Sequence, residues 1–197
     1  MDKSGLVKTE TKGNFTAGIR WVPEPDHPVK YEDLTIDIYE GYNRLDLSGV
    51  RMTGGYDSIE HEFMHRAGIK SLAGSIMSGF RRTEVYRPVY LYIHGGYALS
   101  TSPFSCPWDS NQLGYVHIPK SRIRDFEGVE KIQPDVREKW KAHLDTYVRK
   151  LNDYLNNRVF EVRVYEGDVL LHTGGQFYES VDDEEKLVHE LLEEYSC

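Results

Sequence analysis

The segment "DLTIDIYE" sets Leu34, Ile36 and Ile38 against Thr35, Asp37 and Tyr39. That period of two predicts a strand with one buried face. "VYLYIHGG" is also strand-like, and "YALST" follows as its hairpin partner across Gly95-Gly96. "LGYVHI" predicts the next strand. "FEVRVYEG" and "DVLLHT" predict a further pair that turns at Gly167-Asp168.

Helical spacing appears in four places. "DSIEHEFMHRAGIKSLAGSIMSGF" predicts two short helices, or one broken near Gly68, with Asp57 or Ser58 as N-cap. "KSRIRDFEG" suggests a short helix. From Pro134 onward, Val136, Trp140, Leu144, Tyr147, Leu151 and Tyr154 recur at three or four residues. This pattern defines an amphipathic helix over 134–155 with proline near its first turn. Ser180, followed by Asp182, Asp183 and Glu184, opens a last helix whose apolar stripe is Leu187, Val188, Leu191, Leu192 and Tyr195. Strands and helices do not alternate strictly, so the expected class is α+β with a largely antiparallel sheet.

Residues 1–29 are polar and punctuated, with three prolines in "WVPEPDHPVK". They are expected to form a flexible N-terminal arm, leaving 30–197 as a single α+β domain. The stretch has no apolar core of the kind a secretory signal carries. No apolar run approaches the roughly 20 residues that span a bilayer, so no membrane partner is expected.

The 197 residues are 39% hydrophobic and carry 14 tyrosines, which argues against disorder over most of the length. Net charge is −8, but from Glu179 to Cys197 there are eight acids and one lysine. The rest of the chain is nearly neutral. The acidity therefore belongs to one element, which weighs against a broad basic face for direct nucleic-acid binding. Cys106 and Cys197 read as thiols of a reducing cytoplasm.

"HEFMHRAG" contains H-E-x-x-H at His61, Glu62 and His65. On a helix, His61 and His65 share a face and can hold zinc, with Glu62 as the base that activates a metal-bound water. Ser71 falls where a third histidine would extend the motif, and serine is a poor ligand. Glu84, 19 residues past His65, is the alternative third ligand, although "GFRRT" before it points to a strand entrance. The competing reading is two histidines on a surface helix with no cofactor.

The stretch "PVYLYIHGGYALSTSPFSCPWDSNQLGYVHI" resembles a block in a family of phage, prophage and mobile-element proteins, of the form "HSG…PFSCPWDSGQ.G". The agreement runs from Leu91 to Gly114 and is most specific from Pro103 to Ser110 and at Gln112. Gly95 stands where the block has serine, and Asn111 where it has glycine. A looser likeness extends over about residues 32 to 195, with Gly174-Gly175-Gln176-Phe177-Tyr178 in place of a Cys-Trp element. The resemblance implies a mobile-element setting rather than a particular reaction.

Within the block, Cys106, His94 and Asp109 are a nucleophile, a base and an orienting carboxylate by type. The alternative packs Cys106 as a small hydrophobe, anchors Trp108 in the core and uses Asp109 and Ser110 to cap a turn. The loop is in either case the leading recognition surface, through Trp108 and Asp109. Glu185, Glu190, Glu193 and Glu194 are expected to project from the last helix toward a basic partner. The leading expectation is an accessory protein that inhibits a host defence component, of CRISPR-effector or other nucleic-acid-binding type. A zinc hydrolase using His61, Glu62 and His65, and a structural or assembly protein of a phage particle, are the alternatives.

Overall fold

The structure is a computed structural model that describes residues 5–28, 34–39, 51–53, 82–106 and 108–196. The helices expected over 57–80, and with them His61, Glu62 and His65, lie outside these residues. The fold is α+β, with largely antiparallel sheets, and the chain divides into two compact units.

One unit joins Met1–Asp26 to Asp153–Cys197. Its sheet has the order β1-β2-β8-β9, from β1 (Val7–Lys12), β2 (Phe15–Trp21), β8 (Val159–Glu166) and β9 (Val169–Tyr178), all antiparallel. The expected flexible arm is thus corrected over residues 7–21, which form a hairpin turning at Gly13-Asn14. Phe15, Ala17 and Ile19 alternate along β2, and Ala17 and Ile19 are fully buried. The domain boundary expected at 29/30 is corrected too, because the N-terminal hairpin completes a sheet with the C-terminal strands.

The C-terminal helix runs Glu184–Ser196 and is packed on β1, β2 and β8. Val188 and Leu192 are buried with Ala17, Ile19, Phe160, Val162 and Val164, while Leu187, Leu191 and Tyr195 are partly buried beside them. It starts later than its sequence suggests. Ser180 donates its backbone N–H to the buried carboxylate of Asp153 at 2.7 Å. Asp183 Oδ1 accepts the N–H of Lys186 at 3.1 Å and so serves as the cap.

The other unit, His27–Asn152, holds a sheet of order β4-β3-β7-β5-β6. Its strands are β3 (Thr35–Tyr39), β4 (Arg51–Thr53), β5 (Glu84–Ile93), β6 (Tyr97–Ser100) and β7 (Ser110–Pro119). Among the described residues only β3 and β4 pair in parallel. The middle strand β7 is buried from Leu113 to Ile118, which explains why "LGYVHI" shows no clean alternation. The pairing of β5 with β7 slips by one residue after Val89, and Leu113 is the extra residue of this bulge. Helices α1 (Lys120–Glu127) and α2 (Pro134–Leu155) follow, and α2 buries Trp140, Leu144, Tyr147, Val148 and Leu151. The C-terminal helix is α3. Among the described residues no helix is long and apolar enough to cross a membrane.

Leu192 is the deepest anchor of α3. Leu192→Ala should cost about 2–5 kcal/mol in urea unfolding, whereas Glu190→Lys with Glu194→Lys should stay within about 1 kcal/mol of the parent.

Candidate functional site

The β5–β6 hairpin turns through His94-Gly95-Gly96, where Gly95 takes a left-handed φ of 69°. The loop from Thr101 to Asp109 returns beside this turn, since Ile93 N–H donates to the carbonyl of Asp109 at 2.9 Å. Short polar contacts hold the loop. Ser110 Oγ donates to the carbonyl of Cys106 at 2.6 Å, and the Cys106 thiol donates to Asp109 Oδ2 at 3.3 Å. His94 Nδ1 lies 3.5 Å from the same Oδ2. Tyr92 stacks on His94 and meets Phe104 at a tilt, with ring centroids 6.1 and 5.4 Å away.

The fold therefore brings Cys106, Asp109 and His94 together, but with the carboxylate in the middle. A nucleophilic relay needs the imidazole against the thiol. Here a thiolate would stand next to the Asp109 carboxylate, and the hydrogen bonds serve to brace the loop. Phe104 extends that bracing along the loop through its contact with Tyr92.

What the bracing presents is apolar. Trp108 is 90% exposed, and Ile93 and Tyr97 on the adjoining hairpin are 50% and 41% exposed. The core anchor considered for Trp108 is thus corrected. Its indole stands on the surface, because the loop's backbone is held by Asp109 and Ser110 and leaves the ring outside. Sequence reasoning singled out Trp108 but missed Ile93 and Tyr97. Both lie where the strand pairing ends, and hydrophobic alternation carries no signal for that.

The acidic helix α3 is partly neutralised from β1. Lys8 pairs with the buried Glu184, and Lys12 Nζ lies 2.7 Å from Glu193. His189 Nδ1 lies 3.0 Å from Glu10. Glu185, Glu190 and Glu194 remain on the exposed face, with Glu190 3.7 Å from Lys186. Glu193 is therefore engaged by Lys12 rather than wholly presented to a partner.

Glu84, considered as a third zinc ligand beside His61 and His65, is buried at the start of β5. His117 on β7 donates from Nδ1 to Glu84 Oε2 and from Nε2 to Asp37 Oδ2, each at 3.2 Å. The register explains this set. Glu84 is opposite Pro119, and Asp37 is opposite Tyr115, so both are diagonal neighbours of His117 on one face. Both ring nitrogens meet carboxylates, so both carry protons and the ring is an imidazolium. Burial pulls the His117 pKa down, but the bonds to Asp37 and Glu84 and their charges outweigh it and raise the pKa above 6.5. Among the described residues no group of three or more His, Cys, Asp or Glu side chains is arranged to hold a metal ion.

No protein-family model, curated protein or solved structure matches the chain.

A histidine whose folded pKa is raised contributes stability that is fully present below about 6.5 and lost as pH rises through the folded value. Wild-type stability should therefore fall across that alkaline window, and His117→Gln should remove this pH dependence. His117→Ala, which leaves two buried carboxylates facing a gap, should cost about 3–5 kcal/mol in denaturant unfolding at neutral pH. For the loop, iodoacetamide should label Cys106 no faster than a free thiol, and Asp109→Asn should accelerate it. Labelling of the parent well above the free-thiol rate would point back to a nucleophile.

Proposed function

We propose that this chain is a protein-binding accessory factor of a mobile element that inhibits a host defence component. The observation that carries the binding part is Trp108, 90% exposed on a loop fixed by its own hydrogen bonds. Burying an indole removes a large apolar area from water, and tryptophan and tyrosine dominate the energetics of protein interfaces. Ile93 and Tyr97 widen the patch to three exposed large side chains on one hairpin and its neighbouring loop. A braced loop loses little entropy on docking, which favours binding over a loop that must order first.

The inhibitory role rests on two further supports. The Leu91–Gly114 block resembles phage and mobile-element proteins. The exposed Glu185, Glu190 and Glu194 on α3 suit a partner with a basic, nucleic-acid-binding surface, toward which they would steer association.

The test is co-purification from host cells that carry a defence system, together with phage plating on them. The parent should recover a defence protein and protect phage. Trp108→Ala should fold normally and weaken that complex by about 2 kcal/mol or more, roughly thirtyfold in Kd. No defence protein recovered and no protection would remove the inhibitory role. Full affinity in Trp108→Ala would move the interface away from this loop.

A further inference from the structure

A second feature of the His27–Asn152 unit is a cavity of about 350 Å³, lined by Glu84, Val85, Tyr86, Arg87, Pro88, Lys120, Arg137 and Lys141. We infer that it is a binding site for a phosphate-bearing small molecule, gripped by Arg87, Lys120, Arg137 and Lys141. This inference is independent of the reading of the Trp108 loop.

Three elements deliver the four cations. Arg87 comes from β5, Lys120 opens α1, and Arg137 and Lys141 lie one turn apart on α2. Strand β6 pairs with β5 only from Tyr90 to Ile93, so Glu84–Pro88 have no strand on that side among the described residues. Pro88, which has no N–H to donate, suits such a stretch. The cavity thus lies along a stretch of sheet that β6 leaves uncovered, with Val85, Tyr86 and Pro88 as an apolar wall.

Such crowding costs energy unless an anion relieves it. Glu84 is the one carboxylate of the lining, and it is spent on His117. Arg87 gives Nη2 to Asp145 at 2.9 Å. Lys141 reaches the exposed Glu138 at 2.7 Å. Arg137 makes no ion pair within 4.0 Å among the described residues. Burial, then Arg137 and Arg124, lower the Lys120 pKa against the opposing pull of Glu84. Lys120 also stands at the positive end of α1, whose first turn holds no acid to offset it. A phosphate group, with two negative charges and several acceptor oxygens, answers this charge.

The cavity's size selects among phosphate carriers. A site of about 350 Å³ is within the range of small-molecule pockets. A nucleic-acid backbone would instead need a basic track running past the cavity.

The test is calorimetric titration of the full chain with inorganic pyrophosphate and with a nucleoside triphosphate at low salt. Both should bind. Arg137→Gln and Lys120→Gln should each weaken binding about tenfold, the loss of one charge-assisted contact, with an unchanged melting curve. Lys150→Gln, outside the cavity, should bind like the parent. Absence of heat with both probes, or equal weakening by Lys150→Gln, would overturn the site. A single-stranded oligonucleotide that binds more tightly than either probe would overturn the small-molecule reading. Because the probes bypass any protein partner, failure here leaves the Trp108 surface untouched, and loss of that surface leaves the cavity untouched.

Discussion

The imidazolium of His117, held between Asp37 and Glu84, is the interaction on which the His27–Asn152 unit depends. It ties β3, β7 and β5 across their width from a position that water does not reach. A charge buried this way is costly on its own, and so is each carboxylate. The three are tolerable only together. That mutual need makes the register of three strands a single choice, because a one-residue slip would turn Asp37 or Glu84 to the opposite face and break the set. Whether such a set adds net stability over an apolar one is secondary to this specification of pairing.

With the register set, the rest of the unit follows. The bulge at Leu113 lets β7 continue past it toward the loop, so that Ser110, Asn111 and Gln112 still pair with β5 near its end. That pairing carries Asp109 to the His94 turn, and Asp109 then collects the thiol and the imidazole that brace the loop. Trp108 is displayed as a consequence. At the other end of the same strand, Pro119 leads directly into α1, and this delivers Lys120 to the cavity beside Glu84. One central strand therefore positions two separate surfaces, an apolar one at its start and a cationic one at its end.

The unit built from both chain ends follows a plainer rule. Its sheet is covered by α3 through Val188 and Leu192, and the lysines of β1 balance two of the helix's acids. A helix with this density of carboxylates repels itself unless counter-charges lie nearby. Lys8 and Lys12 supply them, which gives the N-terminal hairpin an electrostatic as well as a hydrophobic role. The remaining acids, Glu185, Glu190 and Glu194, face solvent.

Much of this architecture was legible along the chain. The 3.6-residue rhythm of 134–155, the turns at Gly95-Gly96 and Gly167-Asp168 and the apolar stripe of α3 each depend on neighbours in sequence, and local periodicity determines them. The N-terminal hairpin was not legible, because prolines over 23–28 and glycines at 13 and 18 mask a short alternation whose burial is supplied by a helix at the opposite end of the chain. Alternation puts Asp37 on the solvent side of β3, yet it is buried against His117, which lies 80 residues away and meets it only through strand pairing. Residue types alone gathered Cys106, His94 and Asp109. Tertiary structure decided that the carboxylate sits between the other two and that Trp108 faces water. Sequence pattern thus specifies what each segment is, whereas burial of charge and the meeting of distant side chains are properties of pairing, which exist only once the chain has folded.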